Sequence, residues 1–235
     1  MMIQIIEKWC SENNIPITDR QKADFKIYAK MLVEWNEKMN LTAITEDDEI
    51  AVKHFIDSIS ILKYIDLKPN ASVIDIGTGA GFPGIPLKIM RPDMKLTLLD
   101  SLNKRLIFLA EICKATGISA DIVHARAEEC ARKSGYRESF DYAVSRAVAN
   151  LPALCEYCMP YVKKGGMFIS MKGSDAENEL ALADNAINVL GGHLENVHQF
   201  VLPDESRRSI ISIFKISDTP ETYPRRGTKI SKHPL

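Results

Sequence analysis

One loop, Asp75-Ile-Gly77-Thr-Gly79-Ala-Gly81-Phe82-Pro83-Gly84, constrains this chain more than any other stretch. It follows the aliphatic run Ser72–Ile76, which reads as a strand, and it opens a helical pattern over residues 83–90. Glycines at such a junction let the backbone turn tightly and approach a ligand that a Cβ would hold off. Beyond the loop, short β-branched or aliphatic runs at 95–100, 121–124, 140–144 and 166–171 alternate with helical stretches at 102–116, 128–133, 150–161 and 175–190. That alternation predicts a parallel sheet covered on both faces. Two more strands are expected at 197–202 and 209–216. The connection between them, Pro203-Asp-Glu-Ser-Arg-Arg208, is too short for a parallel crossover and predicts a hairpin. The expected fold is therefore α/β: a Rossmann-like, mostly parallel, seven-stranded sheet.

The residues before the loop read as a helical cap. Ile3, Ile6 and Trp9 or Cys10 recur at helical spacing until Asn13-Asn14. Thr18 caps a second helix striped by Phe25, Tyr28, Leu32 and Trp35. A third helix starts in Glu46-Asp47-Asp48-Glu49, where acidic groups suit the positive end of the helix dipole, and carries Ile50, His54, Ile61 and Tyr64. The expected division is a cap over 1–69, a ligand-binding sheet over 70–217 and a basic tail over 218–235.

The spacing of the glycines admits two ligands. Gly79-x-Gly81-x-x-Gly84, with Asp100 about twenty residues on, satisfies a dinucleotide fingerprint. Read from Asp75 as acid-x-Gly-x-Gly-x-Gly, with Asp100 free to accept two ribose hydroxyls, the same loop suits S-adenosylmethionine in a class I methyltransferase. A pyrophosphate needs several free N–H groups at the helix start, yet Pro83 has none and Pro86 follows in the first turn. A sulfonium needs no anion cradle, and Asp75 suits a cation, so the methyltransferase reading is preferred. Ala127 and Glu128 open the helix after the third strand, where an adenine edge would lie; Glu128 equally complements that helix's dipole.

Charge excludes a uniformly basic nucleic-acid packaging protein: 30 Lys and Arg stand against 31 Asp and Glu, a formal charge of -1. The stretch from Tyr223 to Leu235 is different, with Arg225, Arg226, Lys229 and Lys232 and no acid. Such a tail touches phosphate or is simply solvated. Five cysteines at scattered positions fit a reducing compartment. Cys155 and Cys158 read as small apolar fillers of one helix face, since no second ligand pair accompanies them. With no apolar run of membrane-spanning length and no basic leader, the expectation is a cytoplasmic protein, a monomer, with neither metal nor membrane.

The acceptor is constrained by what the chain lacks. No Pro-Cys pair supplies a nucleophile for methylation at pyrimidine C5, and Val144-Ser145-Arg146-Ala147 stands where exocyclic-amine methyltransferases typically carry Asn-Pro-Pro-Tyr. Guanine N7 already carries a lone pair, so alignment with the donor suffices. Taken with Asn40-Leu-Thr42, His54-Phe-Ile-Asp57-Ser58, the loop through Phe82-Pro-Gly-Ile-Pro86, Leu99-Asp-Ser101, Ser145-Arg-Ala147 and Lys172-Gly173, the chain resembles the bacterial glucose-inhibited division protein B family over nearly its whole length. These are the N7-guanine methyltransferases of small-subunit (16S) ribosomal RNA. The resemblance implies that Gly77, Phe82, Ala127, Glu128 and Arg146 contact S-adenosylmethionine, and that Arg126, Lys172 and Arg208 face the RNA or its guanine. Asp75, Gly79, Gly81 and Asp100 complete the cofactor set, while Arg146, Lys172 and Arg208 form the catalytic, positioning set. Arg207 stands where the family usually has an acid, so both Arg207 and Arg208 are candidates for RNA, as are Arg225 and Arg226 of the tail. His54 reads as a packing or capping residue because N7 chemistry needs no base, and Asn40 and Thr42 read as turn formers. Three other functions remain open at this point: a nicotinamide-dependent oxidoreductase, a non-catalytic RNA-binding assembly factor, and a methyltransferase of small molecules.

Overall fold

The computed structural model describes residues 1–235. Helix α1 (Met2–Glu12) buries Met2, Ile6, Trp9 and Cys10 along one face. Helix α2 (Asp19–Met39) begins at a reciprocal capping box, in which Thr18 Oγ1 accepts from Gln21 N–H and the Gln21 side chain accepts from Thr18 N–H. It ends at Asn40 in the left-handed conformation, as a turn-forming residue should. The third helix, α3, is continuous but not uniform: Asp47–Glu49, a π-helical stretch Ile50–Ile56, then Asp57–Ile59 and Ile61–Tyr64. The sequence stripe gave no sign of this widened stretch. It carries His54 and leads directly into Asp57, two residues of the site.

The sheet follows: β1 (Ser72–Ile76), α4 (Gly84–Met90), β2 (Lys95–Asp100), α5 (Asn103–Thr116), β3 (Ala120–His124), α6 (Ala127–Cys130), β4 (Phe140–Arg146), α7 (Leu151–Cys158) and β5 (Val162–Lys172). Two short helices, α8 (Ala176–Ala181) and α9 (Asp184–Val189), replace the single helix expected over 175–190. Then come β6 (Gly192–Val201), β7 (Arg207–Lys215) and a last helix, α10 (Gly227–Lys232). The strand order is β3-β2-β1-β4-β5-β7-β6, parallel except for β7, which runs antiparallel to both neighbours. No helix is long and apolar enough to cross a membrane.

Two apolar clusters sandwich the sheet. One of 38 buried residues joins α1, α2 and α3 to α4, α5 and the sheet, with Phe25, Tyr28, Phe55, Phe82 and Phe108 at its centre. The other, of 22 residues, lies under α7 and holds Cys155 and Cys158 as free, fully buried thiols; burial pushes the Cys155 thiol up to about 12, so it is a packing group.

The C-terminal residues are not the free basic arm that composition suggests. Arg225 is tied to Glu156, a fully buried residue of α7. Its backbone N–H donates to Oε1 at 2.6 Å, and its guanidinium reaches Oε1 and Oε2 at 2.9 and 2.6 Å. Arg132 donates to the carbonyls of Thr222 and Pro224, and Arg137 to those of Thr219 and Tyr223. Ile230 is fully buried. Arg225, a candidate RNA contact in the sequence, is thus committed to Glu156 in this structure: burying Glu156 requires a paired cation, and Arg225 supplies it. Arg226, Lys229 and Lys232 stay exposed.

Candidate active site

The carboxyl ends of β1, β2, β4 and β5 converge, as ligand sites do in open parallel sheets. Gly77, at φ +69, continues β1 and donates its N–H to Leu99 O. A Cβ on it would stand 2.5 Å from Val148, so only glycine fits this close approach. At Gly81, φ +101, a Cβ would meet the Tyr28 hydroxyl at 2.5 Å; that hydroxyl donates to Ala80 O and braces the loop from α2. Asp75 lies wholly beneath the loop. Its Oδ2 accepts from Thr78 Oγ1 at 2.7 Å and from Gly84 N–H at 2.8 Å, while Oδ1 has no partner. Burial raises its carboxyl to about 6.

A cavity of about 560 Å³ opens beside Gly77 and Asp100. It is lined by Arg126, Ala127 and Glu128 from the start of α6, by Tyr157 of α7, and by Gly227, Thr228 and Ser231 of α10. Two carboxylates on its wall suit a cationic nucleoside. Asp100 is not free in the sense the sequence suggested. Its Oδ2 accepts from Gly79 N–H at 2.9 Å and lies 3.3 Å from an Arg105 nitrogen, and its Oδ1 accepts from Leu102 N–H at 2.8 Å. A carboxylate has about four acceptor positions, so capacity remains for a ribose hydroxyl. Asp75, Gly79, Gly81 and Phe82 do not line this cavity. The Phe82 ring is stacked between His54, at 4.5 Å, and Tyr28, at 5.3 Å. These four residues shape the wall from behind it.

A second cavity, of about 620 Å³, shares Ala147, Val148 and Ala149 with the first. Arg146, Lys172 and Arg208 line it, together with His54 and Asp57. Arg146, expected in both the cofactor and acceptor sets, lies on this side. Its Nη1 donates to Lys53 O at 2.9 Å and to Asp57 Oδ2 at 2.8 Å, and its Nη2 meets His54 Nδ1 at 3.2 Å. The guanidinium also sits over the Phe82 ring, 4.9 Å from its centroid. Three of its five N–H donors are thus spent on orientation and two are uncommitted. Arg208 Nε faces Asp57 Oδ1 at 3.3 Å as an ion pair. Lys172 is 8 % exposed; its Nζ donates to Ala149 O at 2.6 Å and pairs with Glu179 at 2.7 Å.

His54 is a structural member of this site. With Nδ1 facing an arginine, the proton is assigned to Nε2, which lies 2.8 Å from Thr42 Oγ1. Burial first, and the Arg146 charge second, hold its pKa down to about 3. Arg126 is exposed at the mouth of the first cavity, and Arg207 is exposed beyond the second. Asp57, Glu179 and Val148 had no role assigned from sequence. Asp57 was within reach, because His54 and Asp57 share a helix face at a spacing of three. Glu179 meets Lys172 only through the tertiary fold. A larger cavity, of about 780 Å³, lies between α1, α3 and the β6–β7 turn; it touches neither the glycine loop nor the parallel strand ends, and carries no part of this chemistry.

The strand order, the glycine loop after β1 and the acid closing β2 define a class I S-adenosylmethionine-dependent methyltransferase. Solved structures agree on the fold: a 16S rRNA (adenine(1408)-N(1))-methyltransferase variant from Catenulisporales acidiphilia, at TM-score 0.55 and 11% identity over 65% of this chain and 94% of that one, and TrmN from Thermus thermophilus, at TM-score 0.54 and 18% identity over 68% and 48%. The chain belongs to the GidB family, rRNA small subunit methyltransferase G, whose family model matches residues 21–211. Proteins named ribosomal RNA small subunit methyltransferase G are 49% identical in Alkaliphilus metalliredigens, over 98% of both chains, and 48% identical in Clostridium kluyveri, over 99% of this chain and 98% of that one.

Proposed function

We propose that this enzyme moves the methyl group of S-adenosylmethionine to N7 of a guanine in small-subunit (16S) ribosomal RNA, by holding donor and acceptor on the two sides of residues 147–149. The observation that carries this reading is the second cavity, where Arg146, Lys172 and Arg208 are oriented but the one histidine is held neutral, with a pKa near 3. Its two carboxylates, Asp57 and Glu179, are paired with Arg146, Arg208 and Lys172, so its groups orient a nucleophile rather than deprotonate one. Guanine N7 is such a nucleophile. The bound cofactor supplies an electrophilic methyl on a sulfonium, and alignment alone can contribute roughly 7–11 kcal/mol.

In this reading Gly77 and the loop Asp75–Gly79–Gly81–Phe82 shape the bed for the methionine part, Asp100 takes the ribose, and Ala127 and Glu128 take the adenine. Arg146, with its two uncommitted donors, hydrogen-bonds the guanine O6 edge. Lys172 and Arg208 hold the flanking backbone, while Arg126, Arg207 and Arg226 reach more distant phosphates. Residues 1–69 serve as the cap, 70–217 as the catalytic unit and 218–235 as a strap. The dinucleotide alternative finds no support in the loop, because Asp75 occupies Gly84 N–H, an amide that a pyrophosphate would need.

The test is transfer of labelled methyl from S-adenosylmethionine to small subunits from cells lacking this modification, followed by digestion to nucleosides. The expected label is in 7-methylguanosine alone. Label in another nucleoside, or none in RNA, would overturn the proposal.

A further inference from the structure

We infer that α10 is the adenine-side wall of the cofactor cavity, with Thr228 and Ser231 as binding residues for the adenine ring. This rests on the reading of that cavity as the S-adenosylmethionine site. Across the sheet the cavity passes from Gly77 after β1, over Asp100 at the end of β2, to residues 125–128 after β3. With the ribose at Asp100, the adenine lies towards β3. That end is closed not by the sheet but by the chain's last helix. Gly227 approaches Glu128 so closely that a Cβ on it would stand 2.1 Å from Oε1.

Thr228 and Ser231 are three residues apart and so share one face of α10, and both line the cavity. The fully buried Ile230 anchors the helix between them. Adenine presents an amino donor at N6 and acceptors at N1, N3 and N7. Hydroxyl groups can both donate and accept, which suits that mixed edge, and the Glu128 carboxylate beside them accepts only. The Arg225–Glu156 pair, with Arg225 also donating to His233 O at 3.0 Å, fixes the helix from both ends. The basic tail thereby acts in cofactor recognition through its neutral residues.

Calorimetric titration with S-adenosylhomocysteine and with 5′-methylthioadenosine, which lacks the amino-acid part, tests this. Thr228→Val with Ser231→Ala replaces two exposed side chains, so the ligand-free melting temperature stays at the wild-type value. Both ligands are expected to bind roughly threefold to tenfold more weakly for each lost hydrogen bond. Gly227→Ala, which displaces the Glu128 carboxylate, is expected to weaken both ligands as well. Unchanged affinity in these variants, or a loss confined to S-adenosylhomocysteine, would overturn the inference while leaving the cofactor reading intact. A wild-type protein that binds neither ligand would overturn that reading and the inference with it.

Discussion

Asp57 stands between Arg146 at 2.8 Å and Arg208 at 3.3 Å, so one buried carboxylate sets the direction of two guanidinium groups. Fixing cations before the substrate arrives removes the cost of ordering them during reaction. Arg146→Ala should lower methyl transfer by roughly 100-fold or more, as loss of a preorganised donor does elsewhere. It should leave a folded protein, since Asp57 keeps Arg208; labelled-methyl transfer beside a melting curve separates the two effects. His54 and Asp75 make the acid response of stability divisible. The His54 pKa falls from 6.5 to about 3 on folding, so its contribution is complete above pH 6.5 and is lost as pH falls towards 3. The Asp75 pKa rises from 3.8 to about 6, so its contribution is complete below pH 3.8 and is lost as pH rises through 6. Between about pH 4 and 6 the two oppose each other. His54→Gln should flatten the fall in melting temperature below pH 6.5, and Asp75→Asn should steepen it.

Among the elements, the C-terminal strap separates most clearly from its composition. Arg225→Ala leaves Glu156 buried without its cation and should cost about 3–5 kcal/mol, measured by denaturant unfolding, with no change in the salt dependence of RNA binding. A variant with wild-type stability and weaker RNA binding would return Arg225 to the RNA surface. Strand and helix periods were legible because they are local: all seven strands and the Thr18 cap are found, but β5 and β6 begin four and five residues before the apolar runs at 166–171 and 197–202, because ladder pairing with their neighbours extends them. The glycine loop was legible too, through the steric demands that each glycine meets. What sequence could not give were pairings between distant segments. Glu156 with Arg225 spans 69 residues, and Tyr28 reaches across 52 to Ala80. The same holds for Asp100 Oδ2, engaged by the Gly79 amide 21 residues before it. The π-helical stretch of α3 likewise left the apolar stripe unchanged.

Across the whole molecule, in the proposed reading, a chain of formal charge -1 meets a polyanion through local placement: Arg146, Lys172 and Arg208 line the second cavity, Arg126 lines the first, and Arg207 and Arg226 are exposed. If about four to six phosphates are contacted on single-stranded RNA, the logarithm of affinity should fall against the logarithm of salt with a slope of about -3 to -4. A filter-binding salt series reads that slope, and a value near zero would remove the basic rim from the binding surface. In that reading the molecule aligns a nucleophile that is already competent: two cavities lie on either side of residues 147–149, and the carboxylates of the second, Asp57 and Glu179, are paired with Arg146, Arg208 and Lys172. That claim is tested most directly by the pH dependence of single-turnover methyl transfer at saturating RNA and S-adenosylmethionine. The rate constant is expected to stay flat between about pH 6 and 8.5, because no proton is removed in the transition state. A rate that climbs tenfold per pH unit before reaching a plateau would reveal an essential base and contradict it.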